Sequence, residues 1–292
     1  MMGAMQSITL PATKVAVPAL GLGTWRMGES AANSRARGAE VEAVRLALDI
    51  GYRLIDTAEM YGEGGAEEVV GAALRAWTAQ PGCTRDDVFV VSKVYPHNAS
   101  RQGAVAACER SLKRLGLDHI DLYLLHWRGQ HPLRDTVAAF EQLRRDGRIR
   151  HWGVSNFDAD DMQELWRLAA GAQCATNQIY YSASERGVEF DLLPALRERG
   201  VPAMAYCPID QGALARDATL AQVGALQGAS AAQVALAWVL AQSGVIAIPK
   251  AVREMHLREN FAAAALRLTA DDLAQIDRAH PPPRRKQPLA MS

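Results

Sequence analysis

A chain of 292 residues with 32 basic and 32 acidic side chains has no formal net charge, which gives no electrostatic reason to expect nucleic acid or an anionic membrane as partner. At 49% hydrophobic and 22% charged residues, the composition is that of a soluble globular protein with one large α/β domain or two smaller ones. No run approaches the roughly 18 uninterrupted apolar residues of a membrane span. The opening MMGAMQSITLPATKV lacks the basic-then-apolar order of a signal peptide. Cys83, Cys108, Cys174 and Cys207 are scattered, without CxxC or ligand-like spacing, which argues against a disulfide framework and structural zinc. A reducing cytoplasm is the expected location.

In chain order, SITLPATKVAVP (7–18) reads as a hairpin ahead of the first strand, placed to plug a barrel floor. The strand ALGLG (19–23) leads to a helix over 37–51, with Val41, Val44 and Leu48 at helical spacing and Gly51 as its stop. RLIDT (53–57) is the next strand, and GEGGAEE after it starts a helix. VFVVSK (88–93), a helix over 102–116, IDLYLLH (120–126) and a helix over 134–147 continue the alternation. HWGVSN (151–156) precedes a helix over 158–171, whose first-turn acids suit the helix dipole. TNQIY (176–180), a helix over 190–200 and VPAMAY (201–206) come next. An almost wholly apolar helix over 230–244 then leads into VIAIPK (245–250). HPPPRRKQPLAMS (280–292), Pro-rich and basic, reads as a loose surface tail.

Eight apolar strands alternating with helices at a near-regular step predict a parallel sheet with helical crossovers. Number and length fit a single (β/α)8 barrel domain over 1–292; an open doubly wound sheet is the alternative, because strand count does not show closure. The residues ending the strands are Thr24, Asp56, Lys93, His126, Ser155 with Asn156, Gln178, Tyr206 and Lys250. In a parallel barrel these ends share one rim, where such barrels place their active sites. One strand-end aspartate has a bland explanation as a turn residue. A ring of hydrogen-bonding groups does not.

Tyr61 follows the Asp56 strand end by five residues and belongs beside Lys93 and His126. A free phenol titrates near 10, too high for easy proton transfer at neutral pH, and a nearby ammonium lowers that value. Lys93, one of five lysines among the 32 basic residues, supplies the ammonium, Asp56 its counterion, and His126 a donor to orient a substrate oxygen. The set reads as a proton donor aimed at a carbonyl. A metal held by Asp56 and His126 is disfavoured because Lys93 would repel it. A Schiff-base lysine at Lys93 is the competing chemistry. Neither GLG (21–23) nor GEGG (62–65) matches the GxGxxG fingerprint. Trp25 and Trp127 adjoin rim residues and are expected as pocket walls.

These residues resemble the aldo-keto reductase family along nearly the whole chain: GLGTW (21–25), LIDTAEMYG (54–62), VSK (91–93), DLYLLHW (121–127), GVSNF (153–157), NQ (177–178), AYCP (205–208), IPKA (248–251) and EN (259–260). The nearest likeness is to bacterial aldehyde or methylglyoxal reductase-type members. The resemblance implies a (β/α)8 barrel that binds NADP(H) extended and reduces aldehydes or ketones. It assigns catalysis to Asp56, Tyr61, Lys93 and His126, with Tyr61 as acid. It assigns the nicotinamide end to Gly23, Thr24, Trp25, Ser155, Asn156 and Gln178, with Tyr206 stacked on the ring. Cys207, Pro208, Ile209, Gln211 and Gly212 would cover the pyrophosphate. Pro249, Lys250, Ala251, Arg253 and His256 would surround the 2′-phosphate, and Glu259 and Asn260 the adenine.

Four positions depart from the family pattern. Ala251 and His256 replace a serine and an arginine that would meet the phosphate, with Arg253 as partial replacement for the charge; Cys207 and Ile209 replace a serine and a leucine in the loop. NADPH is therefore expected, with NADH open. Substrate is expected against Trp25, Tyr61, Tyr95, His126 and Trp127, with no long covering C-terminal loop. A cofactor-sensing regulatory subunit of the same fold is the functional alternative. The expected partner is a small carbonyl compound, without nucleic acid or membrane, and the expected state is monomeric.

Overall fold

The first and last barrel strands are what separate a closed cylinder from an open sheet, and here they meet. The computed structural model describes residues 6–10 and 14–292. Eight parallel strands run in sequential order: β3 (Leu22–Gly23), β4 (Leu54–Asp56), β5 (Phe89–Val94), β6 (Ile120–Leu125), β7 (Ile149–Ser155), β8 (Asn177–Tyr180), β9 (Ala203–Tyr206) and β10 (Val245–Ala247). Parallel bridges from Leu20 to Ala247 and from Gly23 to Lys250 close the ring, with Gly21 N donating to Ala247 O at 2.9 Å. The expected barrel is present. Before it, β1 (Ser7–Thr9) and β2 (Ala16–Pro18) pair antiparallel. Leu10, directly after β1, and Val17 of β2 pack with Leu54, Val91 and Leu122 inside the cylinder, so the hairpin is the expected plug; part of its turn, 11–13, lies outside the described residues.

Strand pleating sorts the side chains. Leu54, Val91, Leu124, Met204 and Ile248 face the interior, whereas Ile55, Val90, Val94, Leu125 and Ala205 face the helices. Same-face positions recur every second residue in a strand. Two residues after those five interior positions stand Asp56, Lys93, His126, Tyr206 and Lys250. One more pleat past an apolar interior thus carries each polar group to the open end of the barrel.

Ten helices surround the strands among the described residues: α1 (Arg35–Ile50), α2 (Gly65–Thr78), α3 (Arg101–Leu115), α4 (Leu133–Arg145), α5 (Ala159–Trp166), α6 (Leu192–Glu198), α7 (Ala218–Ala225), α8 (Ala231–Leu240), α9 (Glu254–Ala263) and α10 (Ala270–Ala279). Their starts obey capping chemistry, in which a side-chain oxygen accepts from an otherwise unpaired N–H. Ser34, Asp158, Ser230 and Thr269 do this for α1, α5, α8 and α10. The helix expected to 171 stops at Trp166. No helix of the described residues is long and apolar enough to cross a membrane.

The tail departs from the reading as a loose segment. Lys286 bridges Asp160 at 3.1 Å and Asp191 at 3.4 Å, Leu289 packs against the core, and Met291 and Ser292 reach the cavity at the barrel mouth. Prolines that forbid a helix still permit an extended strap.

Candidate active site

Lys93 has no exposed surface, and its ammonium is fully engaged. It donates to Asp56 Oδ2 at 2.8 Å, to the Thr57 carbonyl at 3.0 Å and to the Tyr61 hydroxyl at 3.1 Å. The Gln178 amide donates to the other Asp56 oxygen at 2.7 Å. The Tyr61 ring lies beneath the ammonium, with Nζ 4.7 Å from its centroid, and meets His126 edge-on at 5.7 Å. A Schiff base on Lys93 would have to break all three contacts, so the geometry favours a supporting ammonium over a nucleophilic amine.

Tyr61 is delivered by a tight turn. Gly62, Glu63 and Gly64 have φ of 56°, 53° and 89°, a left-handed path that glycine takes without strain and glutamate does not. Seven non-glycine residues among those described have positive φ, and six lie around this end of the barrel: Arg26, Glu63, Asn156, Cys207, Asp210 and Gln211. Such backbone costs about 1–3 kcal/mol per residue and gathers where function constrains the chain.

Burial sets the protonation. It pushes the Tyr61 phenol well above its ordinary value, and the Asp56 carboxylate adds to the effect. The direction is opposite to the lowering expected from Lys93, because burial disfavours the phenolate and is the largest influence on it. Tyr61 therefore holds its proton, as an acid must before it gives one up. Burial also raises the Asp56 carboxyl, against the pull of Lys93 and Gln178, and lowers the Lys93 ammonium, against the pull of Asp56. His126 is held well below the usual imidazole range by burial and then by Lys93, so it is neutral at pH 7.

That depressed value predicts a pH effect. As pH falls, the unfolded chain takes up the imidazole proton first, so stability drains away. Wild type should lose stability relative to His126→Gln below pH about 6.5, by up to ~1.4 kcal/mol per pH unit. Urea melts of both proteins at pH 7.5 and 5.5 measure this, and parallel pH dependences would count against a buried neutral His126.

A cavity of about 670 Å³ opens above these residues and extends along the barrel mouth. Of the expected residues, Gly23, Trp25, Asp56, Tyr61, His126 and Trp127 line one part of it, with Ser155, Asn156, Gln178 and Tyr206 beside them. Cys207, Pro208, Ile209, Gln211 and Gly212 form its covering loop, and Pro249, Lys250, His256, Glu259 and Asn260 its far end. Within it the Tyr206 hydroxyl donates to Asn156 Oδ1 at 2.8 Å, and the Asn156 amide donates to the His126 carbonyl at 3.1 Å.

Besides Lys93, which is fully buried behind Tyr61, four expected residues lie outside the lining. Thr24 is fully buried and donates to the Asp56 carbonyl at 2.9 Å, holding β4 from behind. Ala251 is buried, and Arg253 is exposed at the N-cap position of α9 without a side-chain capping bond. Tyr95 turns into a neighbouring polar cleft with Glu59 and Asn98 and touches Trp127 edge-on at 5.8 Å. It supports the pocket wall without forming it.

Other lining residues were not anticipated. Arg26 stacks its guanidinium over Trp25 at 4.5 Å, and Met60 precedes the tyrosine. Ser230 and Ala232 come from the start of α8, with Ala215 and Ile248 nearby. Met291 and Ser292 come from the tail, where the Ser292 hydroxyl lies 3.8 Å from Cys207 Sγ. Adjacency to Tyr61 was the available signal for Met60. None existed for the tail.

Comparison with known proteins agrees along the chain. The model of the aldo/keto reductase family matches residues 19–281. Methylglyoxal reductase YeaE of Escherichia coli (strain K12) is 49% identical over 282 residues, covering 95% of this chain and 96% of that protein. Glyoxal reductase of Bacillus subtilis (strain 168) is 35% identical over 263 residues, covering 90% and 89%. A crystal structure of an aldo-keto reductase from Klebsiella pneumoniae in complex with NADPH superposes with a TM-score of 0.92 at 48% identity, covering 99% of this chain and all of that one.

Proposed function

The chain belongs to the aldo/keto reductase family, and from that premise we propose that Tyr61 is the acid and Lys93, Asp56 and His126 its supporting set in the reduction of a carbonyl to an alcohol. The overall activity is NADPH-dependent reduction of aldehydes or ketones. The observation that carries the residue assignment is the chain of contacts from Gln178 through Asp56 and Lys93 to the Tyr61 hydroxyl, beside a cavity that also holds His126.

The donor set fits the cofactor. Lys250 and His256 offer cationic or hydrogen-bonding groups for phosphate at one end, and Tyr206 offers a ring face at the other. When bound, NADPH supplies the hydride. Tyr61 gives its proton to the carbonyl oxygen as negative charge develops there. Lys93, 3.1 Å away, then faces a phenolate, and its attraction is greatest in that charged state. Asp56 keeps the ammonium in place and charged. His126, neutral, can donate one hydrogen bond to the same oxygen. The loop over 207–212 and the tail narrow the cavity above.

Relatives named for methylglyoxal and glyoxal support short α-dicarbonyl compounds as substrates, and Trp25, Met60 and Trp127 give the mouth an apolar rim. The protein acts in this reading as a monomeric single-domain enzyme of the cytoplasm. NADPH oxidation should be seen with methylglyoxal, glyoxal or an aromatic aldehyde, and absence of carbonyl-dependent oxidation throughout such a panel would overturn the reading. Titration should show NADPH binding at least tenfold more tightly than NADH, the ~1.4 kcal/mol of one charge-assisted contact. Equal affinities would refute a working 2′-phosphate site.

A further inference from the structure

Arg37, in the first turn of α1, is 8% exposed, and its nearest carboxylate is a half-exposed Glu68 at 3.6 Å. Its guanidinium is directed instead at main-chain carbonyls from the loop over 28–30 and from Gly65, the first residue of α2 after the Tyr61 turn. Nη2 donates to Gly28 O at 2.8 Å and Ser30 O at 3.0 Å, Nε donates to Ser30 O at 3.3 Å, and Nη1 donates to Gly65 O. The loop continues from Trp25 and Arg26 on the cavity wall; the turn continues from Met60 and Tyr61.

The two segments touch backbone to backbone. A Cβ on Gly28 would lie 2.1 Å from the Gly65 carbonyl carbon, and one on Gly62 would lie 2.6 Å from that of Gly28. Gly28 also has φ of 78°, and its N–H donates to Glu40 Oε2 at 2.9 Å, again from α1. A buried cation whose one ion pair is with a half-exposed carboxylate is costly unless its donors are met. Here the planar fork meets three carbonyl oxygens that no other single side chain spans.

We propose that Arg37 is a positioning residue, which clamps the Trp25 loop onto the Tyr61 turn and thereby fixes the phenol at hydrogen-bond distance from Lys93. The proposal rests on the reading of Tyr61 as acid. An error of about 1 Å in placing a reacting group costs on the order of a hundredfold in rate. Arg37 touches none of the residues at the Lys250 end of the cavity, so the clamp acts on turnover more than on cofactor binding. Lysine keeps the charge but loses the fork.

The test compares Arg37→Lys and Arg37→Gln with wild type in kcat, KM for methylglyoxal, NADPH Kd by fluorescence titration, and Tm. The expected result is a kcat lower by roughly ten- to a hundredfold in both, measured well below Tm, with NADPH Kd within about threefold. A merely structural arginine would lower Tm and leave kcat within twofold. That outcome, or a loss of NADPH affinity equal to the loss of kcat, overturns the clamp. If neither variant folds, Gly28→Ala takes over the test, because its Cβ would force the loop away from Gly65 with Arg37 left in place, and an unchanged kcat there overturns the clamp. Tyr61→Phe separates the two ideas: an active Tyr61→Phe refutes the acid assignment, whereas an inactive one with a fully active Arg37→Lys refutes only the clamp.

Discussion

Replacing Tyr61 with phenylalanine is expected to lower kcat for carbonyl reduction by about 10²–10⁴-fold, the usual contribution of a positioned acid, with NADPH Kd and Tm near wild type. The ring contacts survive, because the ammonium sits over the ring face and His126 meets its edge. Only the hydroxyl goes, and with it one hydrogen bond to Lys93, which keeps Asp56 and the Thr57 carbonyl as partners. Single-turnover hydride transfer and equilibrium titration of NADPH measure the two quantities separately. A variant that still reduces methylglyoxal at a tenth of the wild-type rate would refute Tyr61 as the proton source.

The second large effect is on stability. Lys93→Met should cost about 3–5 kcal/mol, because it removes one partner of a buried pair and strands a charge. Asp56 is 2% exposed and would retain Gln178 as its side-chain donor. Its carboxyl, already raised by burial, would rise further, so the folded variant would bind a proton that the unfolded chain binds only near pH 4. The deficit should therefore shrink as pH falls from 7 towards 5, opposite in sign to the His126 effect. The double variant Asp56→Asn with Lys93→Met should recover much of the stability and no turnover. Urea unfolding at pH 7 and 5 decides it: a pH-independent loss would mean that packing, not charge, is what Lys93 supplies.

The strands and their rim were legible in the sequence for one physical reason. A parallel strand covered on both faces must be apolar throughout, so the residue at which polarity begins marks its open end. Asp56, Lys93, His126 and Gln178 were found that way, and the structure brings them together. What was not legible depends on direction rather than pattern. Tyr95 and Arg253 stand in loops, where no periodicity fixes which way a side chain points, and neither lines the cavity. Arg37 looked like any polar residue opening a helix, since the carbonyls that bury it come from the loop over 28–30 and from Gly65 at the start of α2. The helices over 218–225, 254–263 and 270–279 were not delimited, and α9 shows why: Glu254, Met255, His256 and Arg258 are exposed, with few apolar residues to mark a buried face. The tail misled because its prolines and basic residues match a solvated segment, while its anchors, Asp160 and Asp191, are remote in sequence.

Closure of the ring has a consequence for how the enzyme comes into being. The bond from Gln178 to Asp56 spans 122 residues, and the seam between Leu20 and Ala247 joins the first barrel strand to the last. Each such pairing waits on the loss of chain entropy across everything between. During synthesis Asp56, Tyr61, Lys93 and His126 are made early, yet Lys250, at the phosphate end of the same cavity, is bridged to Gly23 across that seam. A half-made barrel can hold much of the helix and strand content without the closed cavity that runs from Tyr61 to Lys250. Turnover therefore reports the final stitch of the cylinder, where spectroscopic helicity reports only its parts.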